Sequence, residues 1–340
     1  MPERCTNYGF RDYATGSIIA AGSLLGVKLN NSKGFPVGKV NFINLFPLTF
    51  LEFLEAIGRI QLREMLANIK ELKPLSEPLH NLLVKLLKFY FFIGGMPEAV
   101  QAYLNKKPLE DIRKIQKSIL DAYVSDFAKH ADSYQIMKIM EIWESIPQQL
   151  AKENKKFIFS AISKSARARE YETAIQWLAG AGLIYKAFNI TTPKLPLDAY
   201  CNKKIFKVYL FDVGLLGTMS NLPIKLMATD HQLFNEFQGA FTENFVAQEL
   251  IINDFSPLYY WSSTTAEVDF VLAHDLDIFP LEVKAGKSIK KKKSLKAYAK
   301  AYKPRLSLRT SLKNLKQDDK TINYPLYAIY LLCCFNIKND

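Results

Sequence analysis

Cysteine and histidine are scarce, with four of each among 340 residues. Cys5, Cys201, Cys333 and Cys334 are too few and too scattered for a disulfide framework. No CxxC pair occurs, and His80, His130, His231 and His274 lie far apart without HExxH spacing, so no zinc centre is expected. Long apolar runs are missing as well. No stretch reaches the ~18 apolar residues of a membrane span, and the polar, mixed-charge opening MPERCTNYGFRDYATGS does not read as a signal peptide. A reduced, cytoplasmic protein with no membrane partner is the expectation. The phosphate-loop pattern GxxxxGK[ST] is absent too. Gly22-Ser23-Leu24-Leu25-Gly26 has no Lys-Ser/Thr at the required spacing, which leaves little to hold β- and γ-phosphates.

What is present is globular: 49% of residues are hydrophobic, 13% aromatic and 23% charged, enough apolar side chains to build a core. The length leaves room for two or three domains, since single cores rarely grow past roughly 250–300 residues. Lys and Arg total 45 against 33 acids, a formal charge of +12. Such an excess fits a polyanionic partner, nucleic acid or an anionic membrane surface, and fits plain solvation equally well.

Along the chain, Ser17–Ala21 reads as a buried strand closed by glycine, and Lys39–Leu45 as a second strand. Thr49 is placed as the N-cap of a helix from Phe50, with Glu52 at the capping-box position. Helical periodicity runs through 60–150, broken at Pro74, Pro78 and Gly94-Gly95-Met96-Pro97. Over 151–215, a helix at Phe157–Lys164, a polar link, a second helix at about Glu170–Leu178 and strands Leu183–Phe188 and Ile205–Phe211 follow the order of a winged helix-turn-helix. That window holds eleven Lys/Arg against five Asp/Glu. Lys164, Arg167 and Arg169, at the start of the second helix, are candidate DNA contacts; the plainer reading is a solvated turn. From 232 on, a helix at Gln238–Ile252 precedes strands at Pro257–Ser262, Glu267–Leu272 and Ile278–Lys284. A lysine-rich helix near Ser288–Tyr302 and strands at Arg305–Leu308 and Tyr324–Leu332 complete an α/β sandwich. Lys290, Lys291, Lys292 and Lys293 are further candidate phosphate contacts.

The chemistry concentrates at Glu267-Val268-Asp269-Phe270-Val271-Leu272 and Pro280-Leu281-Glu282-Val283-Lys284-Ala285. Strand alternation puts Glu282 and Lys284 on one face, where Asp269 can join them from the adjacent strand. Converging carboxylates suit Mg²⁺, a hard cation that takes oxygen ligands, and helical Glu243 is a third candidate ligand. Lys284 would orient an attacking water or stabilise charge on a phosphate. An acid followed by E-x-K on paired strands resembles the core of the restriction-endonuclease-like nucleases, PD-(D/E)xK. The plainer alternative is an E-V-K strand ending in a surface ion pair.

Distinctive blocks run along the chain: AAGSLLGV (Ala20–Val27), PVGKV (Pro36–Val40), LFPLTFLEFL (Leu45–Leu54) and GGMPEAV (Gly94–Val100). They continue with AREYETAIQWLAGAGLIYKA (Ala168–Ala187), FKVYLFDVGLL (Phe206–Leu216), GAFTENFVAQEL (Gly239–Leu250), AEVDFVL (Ala266–Leu272) and PLEVKAGKS (Pro280–Ser288). Through these blocks nearly the whole chain resembles the prokaryotic AAA-type ATPases whose C-terminal half is a domain of unknown function with a nuclease-like core. The resemblance implies a multidomain α/β and α+β protein: ATPase-core remnant at 1–58, helical lid at 59–150, winged helix-turn-helix at 151–231 and restriction-endonuclease-like domain at 232–340. The family's phosphate loop and metal-holding acidic strand are not in this sequence. The expectation is a truncated or split form that binds duplex DNA, with Asp269, Glu282 and Lys284 as catalytic positions and Glu243, Asp269 and Glu282 as Mg²⁺ ligands if the core cuts. ATP binding is not expected without a partner chain supplying the missing half. An active Mg²⁺-dependent nuclease and a non-catalytic interaction module are the alternatives.

Overall fold

The structure, a computed structural model, describes residues 41–69, 73–130, 133–152, 155–164, 166–224, 232–285 and 293–334. The chain divides into compact units Met1–Asn41 and Phe42–Asp340, and every described helix and strand belongs to the second. The expected strand Ser17–Ala21, the Gly22–Gly26 stretch, Lys39 and Val40 lie outside the described residues. The rest of the expected second strand, Asn41–Leu45, is irregular, with Phe42, Ile43 and Leu45 exposed. Apolar side chains alone do not make a strand without a neighbouring ladder.

In chain order the helices and strands are α1 (Phe50–Ala56), α2 (Ile60–Ala67), α3 (Glu77–Ile93), α4 (Pro97–Leu104), α5 (Leu109–His130), α6 (Ser133–Ala151), α7 (Ala168–Gly180), β1 (Ile184–Ile190) and β2 (Cys201–Leu210). Next come α8 (Val213–Met219), α9 (Gln232–Ile252), β3 (Leu258–Ser262), β4 (Glu267–Val268), β5 (Phe270–His274) and β6 (Asp277–Lys284). The last are α10 (Lys293–Tyr302), β7 (Ser307–Ser311), β8 (Lys316–Asp318), β9 (Thr321–Pro325) and α11 (Leu331–Cys334). One sheet has the order β2-β1-β3-β4 and the other β5-β6-β7-β9-β8, both with mixed parallel and antiparallel pairs, so the fold is mixed α/β. The parallel β1–β3 ladder joins the segment expected as a winged helix to the one expected as a nuclease-like core. β4 and β5 are one extended run, as expected for Glu267–Leu272, interrupted only at Asp269, where the chain passes from one sheet to the other.

Two further elements differ from expectation. Where a helix was expected at Phe157–Lys164 there is a single 3₁₀ turn, Phe159–Ala161. The Phe157 N–H is committed to the Phe206 carbonyl at 2.8 Å and the Ile158 N–H to Gln149 Oε1 at 3.1 Å, which holds this segment extended against β2 and α6. The run expected as strand Tyr324–Leu332 stops at Pro325, which has no ladder donor, and continues as a 3₁₀ turn and α11. A fully apolar run carries no period to tell the two apart.

The Thr49–Glu52 capping box forms as expected: the Glu52 N–H donates to Thr49 Oγ1 at 3.2 Å and the Thr49 N–H to Glu52 Oε2 at 2.7 Å. At the end of α3, Gly94 adopts φ +74° and ψ −171°, a region open essentially to glycine alone. A Cβ there would lie 2.3 Å from Asp212 Oδ1. This close approach lets Asp212 accept the Gly95 N–H at 2.7 Å while its other oxygen caps α8 through the Leu215 N–H at 2.8 Å.

α9 runs through the centre, and every residue from Ala240 to Leu250 is buried. Three of its polar side chains tie down neighbouring segments. Asn244 accepts the Leu210 N–H at 2.7 Å and donates to the Leu210 carbonyl at 2.9 Å. Gln248 accepts the Val213 N–H at 3.2 Å and donates to the Tyr90 hydroxyl at 3.0 Å. Glu249 accepts the Phe50 N–H at 3.3 Å, fixing the start of α1.

Gly94→Ala is expected to cost at least ~3 kcal/mol, combining backbone strain with a clash on Asp212, read as a lower urea midpoint. Burial first, then the Glu52 charge, raises the Glu249 carboxyl from its ordinary 4.5 to about 7, against the Phe50 hydrogen bond. The native state then keeps a proton that the unfolded chain releases, so this group's contribution to stability falls as pH rises from about 4.5 to about 7. Glu249→Gln keeps an acceptor for Phe50 and is expected to flatten that fall by up to about 3 kcal/mol in urea titrations at several pH values.

Candidate functional site

The C-terminal half of β2, Phe206–Leu210, is wholly buried, yet its second residue is a lysine. Lys207 and Tyr209 stand two apart in the strand and so point the same way, toward α9. Lys207 Nζ lies 3.1 Å from Glu243 Oε1, and the Tyr209 hydroxyl donates to the same oxygen at 2.5 Å. Lys155 donates to the other oxygen, Oε2. Lys207 also reaches Glu267 Oε1 of β4 at 2.7 Å and sits 4.9 Å from the centre of the Tyr260 ring of β3.

Burial opposes the charge on Glu243, but the Lys155 and Lys207 ammoniums outweigh it and hold the carboxyl down at about 2. Burial likewise works against a charged Lys207; Glu243, then Glu267, then Asp269 reverse this and hold its pKa well above the ordinary lysine value. Asp269 goes the other way. Burial and then Glu243 repulsion push it up to about 6, only partly opposed by Lys207, Lys155 and the Val283 N–H. The result is an internal network of three carboxylates and two ammoniums at the junction of β2, α9 and β4.

Glu282 belongs to a second group. It is 1% exposed, and the β6–β7 ladder pairs it with Arg309, whose Nε lies 3.3 Å from Glu282 Oε2. Lys284, two residues on along the same face, puts its ammonium 3.0 Å from the other oxygen, a charge contact without hydrogen-bond alignment. The β5–β6 ladder begins at Phe270 opposite Leu281. Asp269, just outside it, spends its Oδ2 on the Val283 backbone N–H at 2.7 Å. Asp269 thus sits electrostatically with Glu243 and the two lysines, while Glu282 sits with Lys284 and Arg309. Among the described residues no group of three or more His, Cys, Asp or Glu side chains is arranged to hold a metal ion. As placed, Glu243, Asp269 and Glu282 do not fit a shared Mg²⁺, because each is already met by an ammonium, a guanidinium or a backbone amide.

Lys164, Arg167 and Arg169 are exposed around the first turn of α7, with Arg167 at its N-cap in extended conformation. Lys290, Lys291 and Lys292 lie outside the described residues, and Lys293 opens α10. The sequence reasoning passed over Lys207, Tyr209, Lys155, Glu267 and Arg309. Lysine inside the apolar Phe206–Phe211 and arginine inside Ser307–Ser311 are the signals that mark the first and the last. Lys155, within the charged run Lys152–Lys156, carries no such signal.

Residues 84–225 match a domain of unknown function (DUF8612), and residues 238–329 match another (DUF4143). The latter is found in proteins associated with AAA-type ATPases. No curated protein and no solved structure matches the chain. The Glu243 network spans the two matched regions: Lys155, Lys207 and Tyr209 fall in the first, and Glu243, Glu267 and Asp269 in the second.

Removing one partner of a buried ion pair leaves an uncompensated charge. Lys207→Met is therefore expected to destabilise the fold by about 3–5 kcal/mol. Adding Glu243→Gln and Glu267→Gln to that variant is expected to recover part of the loss, which would not happen if the cost were lost packing. Guanidinium midpoints of the single and triple variants measure both.

Proposed function

We propose that the protein is a duplex-DNA-binding module whose nuclease-like core does not cut. The observation that carries this reading is the internal neutralisation of the acids: Glu243 by Lys155 and Lys207, and Glu282 by Lys284 and Arg309. Mg²⁺ gives up water reluctantly and needs free carboxylate oxygens in return. Acids balanced from within offer it little.

The DNA side of the proposal draws on the +12 charge and on exposed Lys164, Arg167 and Arg169 at the start of α7. α6 and α7 followed by the β1–β2 hairpin are read as a winged helix, with the first turn of α7 toward duplex. ATP turnover is assigned to a partner chain with a phosphate loop, in keeping with the DUF4143 match and with the resemblance to AAA-type ATPases. The alternative, an Mg²⁺-dependent nuclease using Asp269, Glu282 and Lys284 with Glu243 as a metal ligand, draws on one feature. Asp269, pushed up to about 6 by desolvation and by Glu243, is a half-buried acid of the kind found at working sites.

Three assays separate the readings. The expected outcome is salt-sensitive binding of a fluorescent duplex, no nicking of supercoiled plasmid with Mg²⁺ and no ATP hydrolysis above a protein-free control. Nicking that requires Mg²⁺ and disappears in Asp269→Asn replaces the proposal with the nuclease. Failure to bind duplex at low salt leaves only a non-catalytic interaction module.

A further inference from the structure

Residues 283–317 contain thirteen lysines and arginines and not one aspartate or glutamate. Four of these cations are spent on acids: Lys284 and Arg309 on Glu282, Arg305 on Asp277 at 3.0 Å, and Lys316 on Asp318 at 2.8 Å. α10 lies inside this tract and has two faces. Leu295 and Tyr298 are buried, with the Tyr298 ring edge-on to Trp261 at 5.3 Å. Tyr302 sits one turn further on, its ring 5.0 Å from that of Tyr298. Its hydroxyl donates to the Thr191 carbonyl at 3.0 Å and accepts the Trp261 indole N–H at 3.3 Å.

The other face carries Lys296 and Lys300, four apart and so aligned along the helix, and Lys303 follows just past the helix end with a left-handed backbone. All three are exposed, and among the described residues none lies within ion-pair distance of a carboxylate. One lysine in the last turn would be enough to complement the helix dipole. Two aligned on a helix with no acid, with a third just beyond its end, build a short stripe of positive potential.

The geometry points to this stripe as a sequence-independent docking surface for the phosphate backbone of duplex DNA. Lys296 to Lys300 covers about 6 Å of helix, which matches about two base-pair steps of duplex. An anionic bilayer is the poorer partner. Surface-bound amphipathic helices insert an apolar face, and the apolar face of α10 is already committed to Trp261 and its neighbours. The inference rests on the duplex-binding reading and adds a second contact surface to the one on α7.

The test uses the full chain, a fluorescent duplex of about 20 bp and a salt titration from about 50 to about 200 mM. Lys296→Gln/Lys300→Gln/Lys303→Gln keeps the side-chain stems and removes three exposed charges. The log–log salt slope is expected to fall by about 2.7 units, so the same salt increase weakens the wild type about 40-fold more than the variant. A parallel variant, Lys164→Gln/Arg167→Gln/Arg169→Gln, reports on α7 alone. Wild-type binding with an unchanged slope in the α10 variant overturns this inference and leaves the DNA-binding reading standing. No wild-type binding to duplex overturns both. Wild-type binding to phosphatidylserine-containing vesicles but not to duplex also overturns both, in favour of a membrane surface.

Discussion

Residues 240–250 of α9 are all buried, so the polar groups they carry need partners, and four of these side chains meet that need by holding the protein together. Unsatisfied polar groups in an apolar interior cost about 1–3 kcal/mol each. Glu243, Asn244, Gln248 and Glu249 therefore act as fixed attachment points. They anchor β2, the start of α8, Tyr90 of α3 and the first residue of α1. Segments more than a hundred residues apart are positioned by four side chains within two turns of one helix. Hydrophobic burial supplies the driving force around α9, and these polar contacts choose one arrangement among many that would bury the same surface.

The same economy governs charge. Lys207 has no exposure, and Glu243 and Glu282 have almost none, so their charges survive only because opposite charges are built in beside them. A metal-dependent site uses a different arrangement, in which acids are left partly unbalanced and an outside cation completes them. Here the completing cations are side chains of the chain itself, two of them from segments distant from the E-x-K strand.

Local features of this fold were legible in the sequence. Thr49 and Glu52 announce a helix start three residues apart, and the broken helical stretch to 150 and the β1–β2 hairpin were readable from period and punctuation. Long-range pairing was not. Glu243 meets Lys207 from 36 residues away and Lys155 from 88, and Glu282 meets Arg309 across a parallel crossover. Nothing local marks such partners except a charged residue stranded in an apolar strand. The apolar run after Pro325 was misread for a related reason: with every residue to Leu332 except Tyr330 buried, the alternation that separates strand from helix disappears.

Asn244 has a consequence for how this molecule meets copies of itself. β2 is the outer strand of its sheet, and an unpaired strand edge is a template for joining another chain. The Asn244 amide occupies both backbone groups of Leu210, imitating one residue of a neighbouring strand, and the Phe157 N–H takes the carbonyl of Phe206. The half of β2 left open, Asn202–Ile205, is exposed and carries Lys203 and Lys204, whose charges repel an incoming strand. The sticky part of the edge is thus covered from within, and the uncovered part is too short and too cationic to seed sheet-to-sheet aggregation.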